Sequence, residues 1–400
     1  MLSTSSADVV RATLPAIGAH IEEITTLFYR NLFADHPELE RDLFNRGNQA
    51  QGDQQRALAG AIAAFAAVLV ADDAPSPERI LARIANKHAS LGITEDQYQV
   101  VHDYLFGAIV AVLGEAVTPA VATAWDEVYW LMANSLIALE RELYASAQVA
   151  PGDVWRTVTV AAREQLSAQS FSLTLASSDG TALPDFLPGQ YISVAVQLPD
   201  GARQIRQYSL SGAAGPQRWR ITIKRVLADP PPAGEVSNFL YDNVFEGDDL
   251  AVSAPFGNLT LPVGDQPLLL VSAGIGCTPM IGMLDHLATV GDARRVSVVH
   301  VDRSLAEHAH RSELAELVHK LPAGILRSWY EDLGMRAPTD EIRSGSIDFD
   351  GIALTPDVQT YLCGPLQFMR DVRRELIARQ VPPSHIHYEV FGSDMWLQAS

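Results

Sequence analysis

Five short stretches of this 400-residue chain combine residue types and spacings suited to chemistry. The hexapeptide RQYSLS, Arg206 to Ser211, closes an alternating apolar run. There Arg206 offers a fixed fork of donors to a pyrophosphate. Tyr208 offers a flat face to a conjugated ring such as a flavin, and Ser209 a hydroxyl for ring hydrogen bonds. GEVSNFL, with Gly234, Val236 and Ser237, opens a helix whose N-terminus can hold phosphate. In VSAGIGCTPM, Gly274 and Gly276 let the backbone approach a ligand, and the helix after them points its positive end to the same place. YLCGP sets the Cys363 thiol at another strand end. Far upstream, ILARIANKHASLG puts Ile80, Ile84, Ala85, His88 and Leu91 on one side of a helix, an imidazole on an apolar face. Taken singly, each has a plainer reading: a salt-bridged strand-end arginine, an ordinary glycine loop, a buried cysteine, a core histidine bonded to a neighbour.

The elements that position these stretches fall into three textures. Up to about Ala147 the pattern is almost entirely helical, with prolines (Pro15, Pro37, Pro75, Pro77, Pro119) mostly at helix boundaries. After QVAPGDVW the runs RTVTVAAREQL, SFSLTLAS, QYISVAVQL and RWRITIKRV alternate like strands between Asp-Gly and Pro-Gly turns. From Gln266, PLLLVSAG and RRVSVVHV look like buried parallel strands, and a helical stretch follows each. The expected order is an all-α domain over 1–147, an antiparallel β domain over 152–262 and an α/β domain with a parallel sheet over 266–400. The linker from Ala147 to Asp153 is short.

Composition excludes several classes of function. A net charge of −19 provides no phosphate-neutralising face, which argues against nucleic acid. Two cysteines, Cys277 and Cys363, make neither a disulfide framework nor a cysteine metal site and fit a reducing compartment. The N-terminus lacks a signal-peptide pattern. The longest apolar run, Ala57 to Ala71, is alanine-rich and too short for a confident membrane span, so a buried helix is expected there. The chain is read as a soluble cytoplasmic monomer.

From about Pro151 onward, these motifs in this order and spacing resemble the ferredoxin-reductase-like family of FAD- and NAD(P)H-dependent enzymes. The resemblance implies that Arg206, Gln207, Tyr208 and Ser209 bind FAD, with Tyr191 near the adenine side. It implies that Gly274, Ile275, Gly276, Cys277, Thr278 and Pro279 bind the nicotinamide nucleotide and that Cys363 lies near the nicotinamide. In the terminal IHYEVFG, Glu389, Val390, Phe391 and Gly392 would adjoin the cofactors, with Phe391 covering the flavin. VLADPPPAGEV departs from the family pattern: its prolines, in the loop 229–233, stiffen the approach to the phosphate-binding helix.

Such a reductase needs an electron acceptor, and a flavin mediates between a two-electron hydride donor and a one-electron haem iron. Four histidines lie in the helical segment. His20 sits in a polar stretch, His36 precedes Pro37 and His102 adjoins Asp103, so only His88 has the apolar helical setting of a proximal haem ligand. On the other side of such a haem, LFYRNLF carries Tyr29, Phe44 follows, and Gln54 and Leu58 share a helix face at i, i+4. Together with the KH pair, DQYQVV and IALERELY, these resemble the globin domain of flavohaemoglobins.

The match spans essentially the whole chain. It implies a haem globin fused to an FAD and NAD(P)H reductase, with nitric oxide dioxygenation as its activity. His88 would be the iron ligand, with Tyr98 and Glu140 as its hydrogen-bonded relay. Tyr29 and Gln54 would stabilise bound oxygen, Phe44 would pack on the haem and Leu58 would line the pocket. Lys87, one of only three lysines, would lie with Glu389 near the flavin–haem junction. The expected cofactors are haem b, FAD and NADH or NADPH, and the partners are oxygen, nitric oxide and NAD(P)H. A flavohaemoglobin that oxidises another donor such as D-lactate, or a haem-based oxygen sensor or carrier, are the alternatives. The intact RQYSLS, GIGCTP and Phe391 count against them. For the nucleotide, Asp302 favours a free ribose hydroxyl and Arg303 a 2′-phosphate.

Overall fold

The computed structural model describes residues 2–71, 77–212, 217–227 and 233–392, so most of the Pro-rich loop 229–233 lies outside it. The chain divides into two compact units. One comprises Met1–Trp155 with Ala195–Arg206 and Gly392–Ser400; the other comprises Arg156–Val194 and Gln207–Phe391.

The first unit is built on seven helices: α1 (Thr4–Asp35), α2 (Pro37–Asp42), α3 (Arg46–Ala50), α4 (Asp53–Val70), α5 (Pro77–Leu91), α6 (Asp96–Leu113) and α7 (Pro119–Ser146). Their starts follow capping chemistry. Ser3 accepts from the Ser6 N–H, Asn45 from the Gly47 and Asn48 N–H groups, and Thr118 from the Val121 N–H with Pro119 at the first helical position. Ile24, Phe28, Leu32, Phe65, Leu81, Ala85, Leu105, Trp125, Val128 and Leu136 form one buried core. The apolar Ala57–Ala71 run lies largely within α4 and buries Ala59, Ala61, Phe65 and Ala66. Among the described residues no helix is long and apolar enough to cross a membrane.

Six strands form an antiparallel sheet: β1 (Trp155–Gln165), β2 (Ser170–Ser177), β3 (Tyr191–Gln197), β4 (Arg203–Ser209), β5 (Arg218–Lys224) and, after helix α8 (Glu235–Asn243), β6 (Asp249–Ser253). Their order is β4-β3-β6-β1-β2-β5. An antiparallel bridge from Leu210 to Ile221 joins the two edges, rolling the sheet into a barrel. The tip of the β3–β4 hairpin, Ala195–Arg206, is counted with the first unit.

The parallel sheet comprises β7 (Leu268–Ala273), β8 (Val296–Ser304), β9 (Gly324–Asp332), β10 (Ile342–Ser344), β11 (Gln359–Cys363) and β12 (Ile386–Glu389). Its order is β10-β9-β8-β7-β11-β12, with helices α9 (Cys277–Val290), α10 (Arg311–Lys320) and α11 (Leu366–Ala378) between strands. Every residue of β7 is buried, as a central strand covered on both faces requires. The architecture is thus an all-α domain, an antiparallel barrel and a parallel α/β domain, as the three textures predict.

Candidate cofactor sites

α5 places His88 one turn beyond Ile84, while its neighbours Leu81, Ala85 and Ala89 are fully buried. The imidazole Nδ1 lies 2.9 Å from Glu140 Oε1 and 3.0 Å from the Tyr98 hydroxyl, which itself donates to the same Glu140 oxygen at 2.5 Å. Glu140 is 3% exposed, so this carboxylate is spent inside the helical core. An ionised carboxylate only accepts, which fixes the proton of a neutral imidazole on Nδ1. Nε2 has no hydrogen bond among the described residues, and the side chain is 32% exposed in an otherwise closed core. An oriented imidazole with one nitrogen left open is the donor a haem iron requires.

Two tyrosines of α7 hold the backbone on either side of this relay. Tyr129 donates to the Tyr98 carbonyl and Tyr144 to the Ile93 carbonyl, each at 2.6 Å. Burial raises both phenols, and Tyr98 is raised by burial and then by the Glu140 charge, so all three remain protonated donors. Neither Tyr129 nor Tyr144 was singled out from sequence, because an aromatic residue on a helix face looks like core.

Tyr29, on α1, is buried in the same core and hydrogen-bonded to Gln54. Burial pushes its phenol well up, partly offset by Gln54. Its ring meets Phe44 edge-on at 5.8 Å and Phe33 at 5.5 Å, and Leu58 packs on the core nearby. Tyr29 and Gln54 thus form a polar pair beside the apolar rings of Phe33 and Phe44. The remaining histidines of the helical segment are committed elsewhere. His20 and His36 pair with Glu23 and Glu38, and His102 stacks on Phe106 and Trp130 while bonding Asp126. Lys87 Nζ donates to the Gly392 carbonyl at 3.2 Å.

On β4, Arg206 Nη1 donates to Gln204 Oε1 (3.2 Å) and the Ile205 carbonyl (2.8 Å), which holds the guanidinium in place. Gln204 is fully buried, and its amide donates to the carbonyls of Arg41 (3.0 Å) and Phe44 (3.1 Å). Sequence reasoning passed over Gln204; the period of two that puts it on the face of Arg206 is the signal that finds it. Gln207 donates to Ser193 Oγ at 3.0 Å, Ser209 is buried, and Tyr191 exchanges backbone hydrogen bonds with Phe256. At α8, Val236 is buried, and the Ser237 hydroxyl accepts from the Val226 N–H and donates to the Gly234 carbonyl. What that helix presents to a phosphate is therefore its first backbone N–H groups.

Gly274–Gly276 forms a single 3-10 turn between β7 and α9, with Thr278 Oγ1 donating to the Ile275 carbonyl. A Cβ on Gly276 would sit 2.3 Å from the Cys363 carbonyl, so only glycine lets the turn lie against the end of β11. Cys277, Thr278 and Pro279 are buried. Burial pushes the Cys277 thiol up to about 12 and Cys363 well above its ordinary value, leaving both neutral. Glu389 is buried and accepts from the Val390 N–H, whereas the ring of Phe391 is 47% exposed, an open aromatic face at the end of β12. These features fit a flavin and a dinucleotide: a held guanidinium, a helix N-terminus, a glycine cradle and an exposed aromatic face.

One sequence expectation meets a different geometry. The Asp302 side chain turns inward, 3.5 Å from His300 Nε2 and accepting from the Arg303 N–H. Burial raises this carboxyl, but His300, the Arg303 N–H and Lys224 together outweigh it and the net shift is downward. An inward carboxylate offers nothing to a ribose, while the Arg303 side chain is largely exposed.

Family models match the chain in three consecutive stretches: Globin over residues 26–136, Oxidoreductase FAD-binding domain over 157–261 and Oxidoreductase NAD-binding domain over 270–374. The chain is 42% identical to a flavohemoprotein of Bordetella pertussis, covering 98% of this chain and 99% of that one. It is 38% identical to a flavohemoprotein of Rhizobium meliloti over the full length of both. The crystal structure of a flavohemoglobin from Malassezia yamatoensis with bound FAD and heme superposes with a TM-score of 0.88 at 38% identity, covering 98% of this chain and all of that one. A Flavohem-like FAD/NAD-binding domain of nitric oxide dioxygenase from Vibrio cholerae matches 59% of this chain and 98% of that one at 36% identity, with a TM-score of 0.55.

Proposed function

Because the chain belongs to the flavohemoprotein family, we propose that it is a nitric oxide dioxygenase, an NAD(P)H-dependent oxidoreductase converting nitric oxide and oxygen to nitrate. Residues 1–147 hold the haem in this reading, 152–262 the FAD and 266–400 the NAD(P)H. Bound haem would supply the iron chemistry between the two gases, and bound FAD the conversion of a two-electron hydride donor to single electrons.

The observation that carries the reading is the His88 relay. Glu140 and Tyr98 hold the proton on Nδ1 and leave Nε2 open as the iron ligand. A strongly held Nδ1 proton gives the imidazole anionic character and makes it a better electron donor, which suits activation of oxygen over its reversible carriage. Tyr29, kept protonated by burial and oriented by Gln54, donates a hydrogen bond to a polar gas ligand. Phe44 and Leu58 keep water out. In the reductase half, Arg206 and the first N–H groups of α8 bind the FAD phosphates, and Phe391 covers the flavin ring. The Gly274–Gly276 turn and the start of α9 bind the nicotinamide nucleotide.

The test is NADH oxidation by the purified, cofactor-loaded protein in aerated buffer with pulses of nitric oxide. The reading predicts faster NADH consumption on each pulse and one nitrate formed per nitric oxide consumed. NADH consumption indifferent to nitric oxide would set the dioxygenase aside and leave the oxidoreductase.

A further inference from the structure

His310 stands out in the second unit. It caps α10 in the left-handed conformation (φ 59°, ψ 18°), which non-glycine residues rarely adopt, and its side chain is 1% exposed. Nδ1 lies 2.6 Å from Glu313 Oε2, and Nε2 lies 2.8 Å from Thr222 Oγ1 on β5. Thr222 Oγ1 in turn lies 2.9 Å from Ser211 Oγ, and Ser211 Oγ lies 3.3 Å from the Arg220 carbonyl. Arg220 closes the network by pairing with Glu313 at 2.5 Å and donating to the Ser211 carbonyl. Ser211 is the last residue of RQYSLS, so this chain of groups fastens the end of the flavin motif to the first turn of α10.

The direction of the hydrogen bonds depends on one proton. With His310 charged, both ring nitrogens donate. Nδ1 donates to Glu313 and Nε2 to Thr222; Thr222 then donates to Ser211, and Ser211 to the Arg220 carbonyl, so every link carries a hydrogen. With His310 neutral and its proton on Nδ1, Nε2 becomes an acceptor. Thr222 must then donate to Nε2 and Ser211 Oγ to Thr222, which leaves the Oγ contact to the Arg220 carbonyl without a hydrogen, so that the Ser211 N–H, 2.8 Å away, alone donates there.

The ionisable groups around it come from every neighbouring element. Glu313 and Arg311 lie on its own helix, with His308 just before it. Arg220 and Lys224 lie on β5. Asp302 and His300, from β8, flank His308 and Cys277. Cys277 of α9 donates to the Ala309 carbonyl. The Asp285 carboxylate and the Arg220 guanidinium both come within 3.2 Å of where a Gly212 side chain would stand. Glu313, 30% exposed, gives the network its access to solvent.

We propose that His310 is a positioning residue for flavin reduction, its protonation setting the direction of the His310–Thr222–Ser211 chain and so how firmly the end of the flavin motif is held. This deepens the oxidoreductase reading of the second unit and is independent of the fate of nitric oxide. His310→Asn keeps a residue that tolerates the left-handed backbone, and Thr222→Val breaks the chain while leaving the His310–Glu313 pair intact. The first measurement is hydrogen exchange at residues 208–212 in cofactor-loaded protein, corrected for intrinsic rates, across pH 5.5 to 8.5, about the range of histidine titration. Wild type should gain about fivefold protection toward acid, roughly the worth of one hydrogen bond, and both variants should show none. The second is anaerobic stopped-flow flavin reduction at saturating NADH, where wild type should show a pH-dependent rate that flattens in both variants with little change in NADH KM. A pH-independent wild-type exchange, or a pH dependence surviving in both variants, overturns the proposal. If wild-type flavin is not reduced by NADH at any pH, the oxidoreductase reading fails, and the exchange experiment alone decides the role of His310.

Discussion

At the scale of single residues, two side chains divide the work around the proposed haem. His88 owes its orientation to Glu140 and Tyr98, and His88→Ala removes the open nitrogen within the first unit, whereas the elements from Gln207 onward form part of the second. We expect loss of normal haem ligation in the absorption spectrum, with FAD content and NADH-driven reduction of an artificial acceptor retained. Loss of flavin together with haem would count against the assignment. Tyr29→Phe keeps the ring that packs on Phe33 and Phe44 and removes only the hydroxyl. A hydrogen bond to a partly charged ligand contributes about 1.5–3 kcal/mol, so oxygen should dissociate about ten- to a hundredfold faster. Laser photolysis and oxygen replacement by carbon monoxide measure that rate, and an unchanged value would remove Tyr29 from the role. The sequence made these residue types legible because each interrupts a pattern: an imidazole on an apolar helix face, a tyrosine in a phenylalanine-rich run. Gln204, Asp302 and His310 were not legible in the same way. Gln204 and His310 owe their geometry to partners 163 and 88 positions away on other elements, and Asp302 turns inward to His300 on its own strand.

At the scale of elements, the Gly274–Gly276 turn lies directly against the end of β11. Gly276 has an ordinary helical φ of −62°, so its constraint is space and not backbone freedom. Gly276→Ala drives a methyl into the Cys363 carbonyl and forces the turn off the end of β11. Overpacking of this kind costs about 1–3 kcal/mol, and we expect it to appear as about ten- to a hundredfold weaker NADH binding with an unaltered haem spectrum. NADH binding equal to wild type would mean that the turn does not receive the nucleotide. Strands and helices themselves were well marked in sequence: β7 by its unbroken apolar run, α9 and α11 by the helical patterns after each strand end. The closure of the barrel was not, since the Leu210–Ile221 bridge joins two strands that the alternation pattern cannot tell apart from open-sheet edges.

At the scale of the whole molecule, haem and flavin motifs ride on one chain. Helix α7 ends at Ser146 and β1 begins at Trp155, so the connection is short. A short tether sets an effective concentration of order millimolar, far above that of the protein in solution. Haem reduction after mixing with saturating NADH under carbon monoxide should therefore proceed at a rate independent of protein concentration. A stopped-flow dilution series checks this, and a rate falling in proportion to protein would mean that electrons pass between molecules.

The hairpin tip Ala195–Arg206, which is counted with the helical unit, has a consequence for gene recombination. A crossover near codon 150 divides the gene into its helical and reductase parts in sequence, but it moves the tip with the wrong partner. Gln204 supplies the amide that reaches the Arg41 and Phe44 carbonyls. A hybrid whose incoming reductase carries an apolar residue at that position takes the donor away from both and loosens the segment that presents Phe44. The inheritance of codon 204 is thereby tied to that of the first 150 codons, and module exchanges that respect this linkage should yield folded, haem-retaining hybrids more often than those that break it.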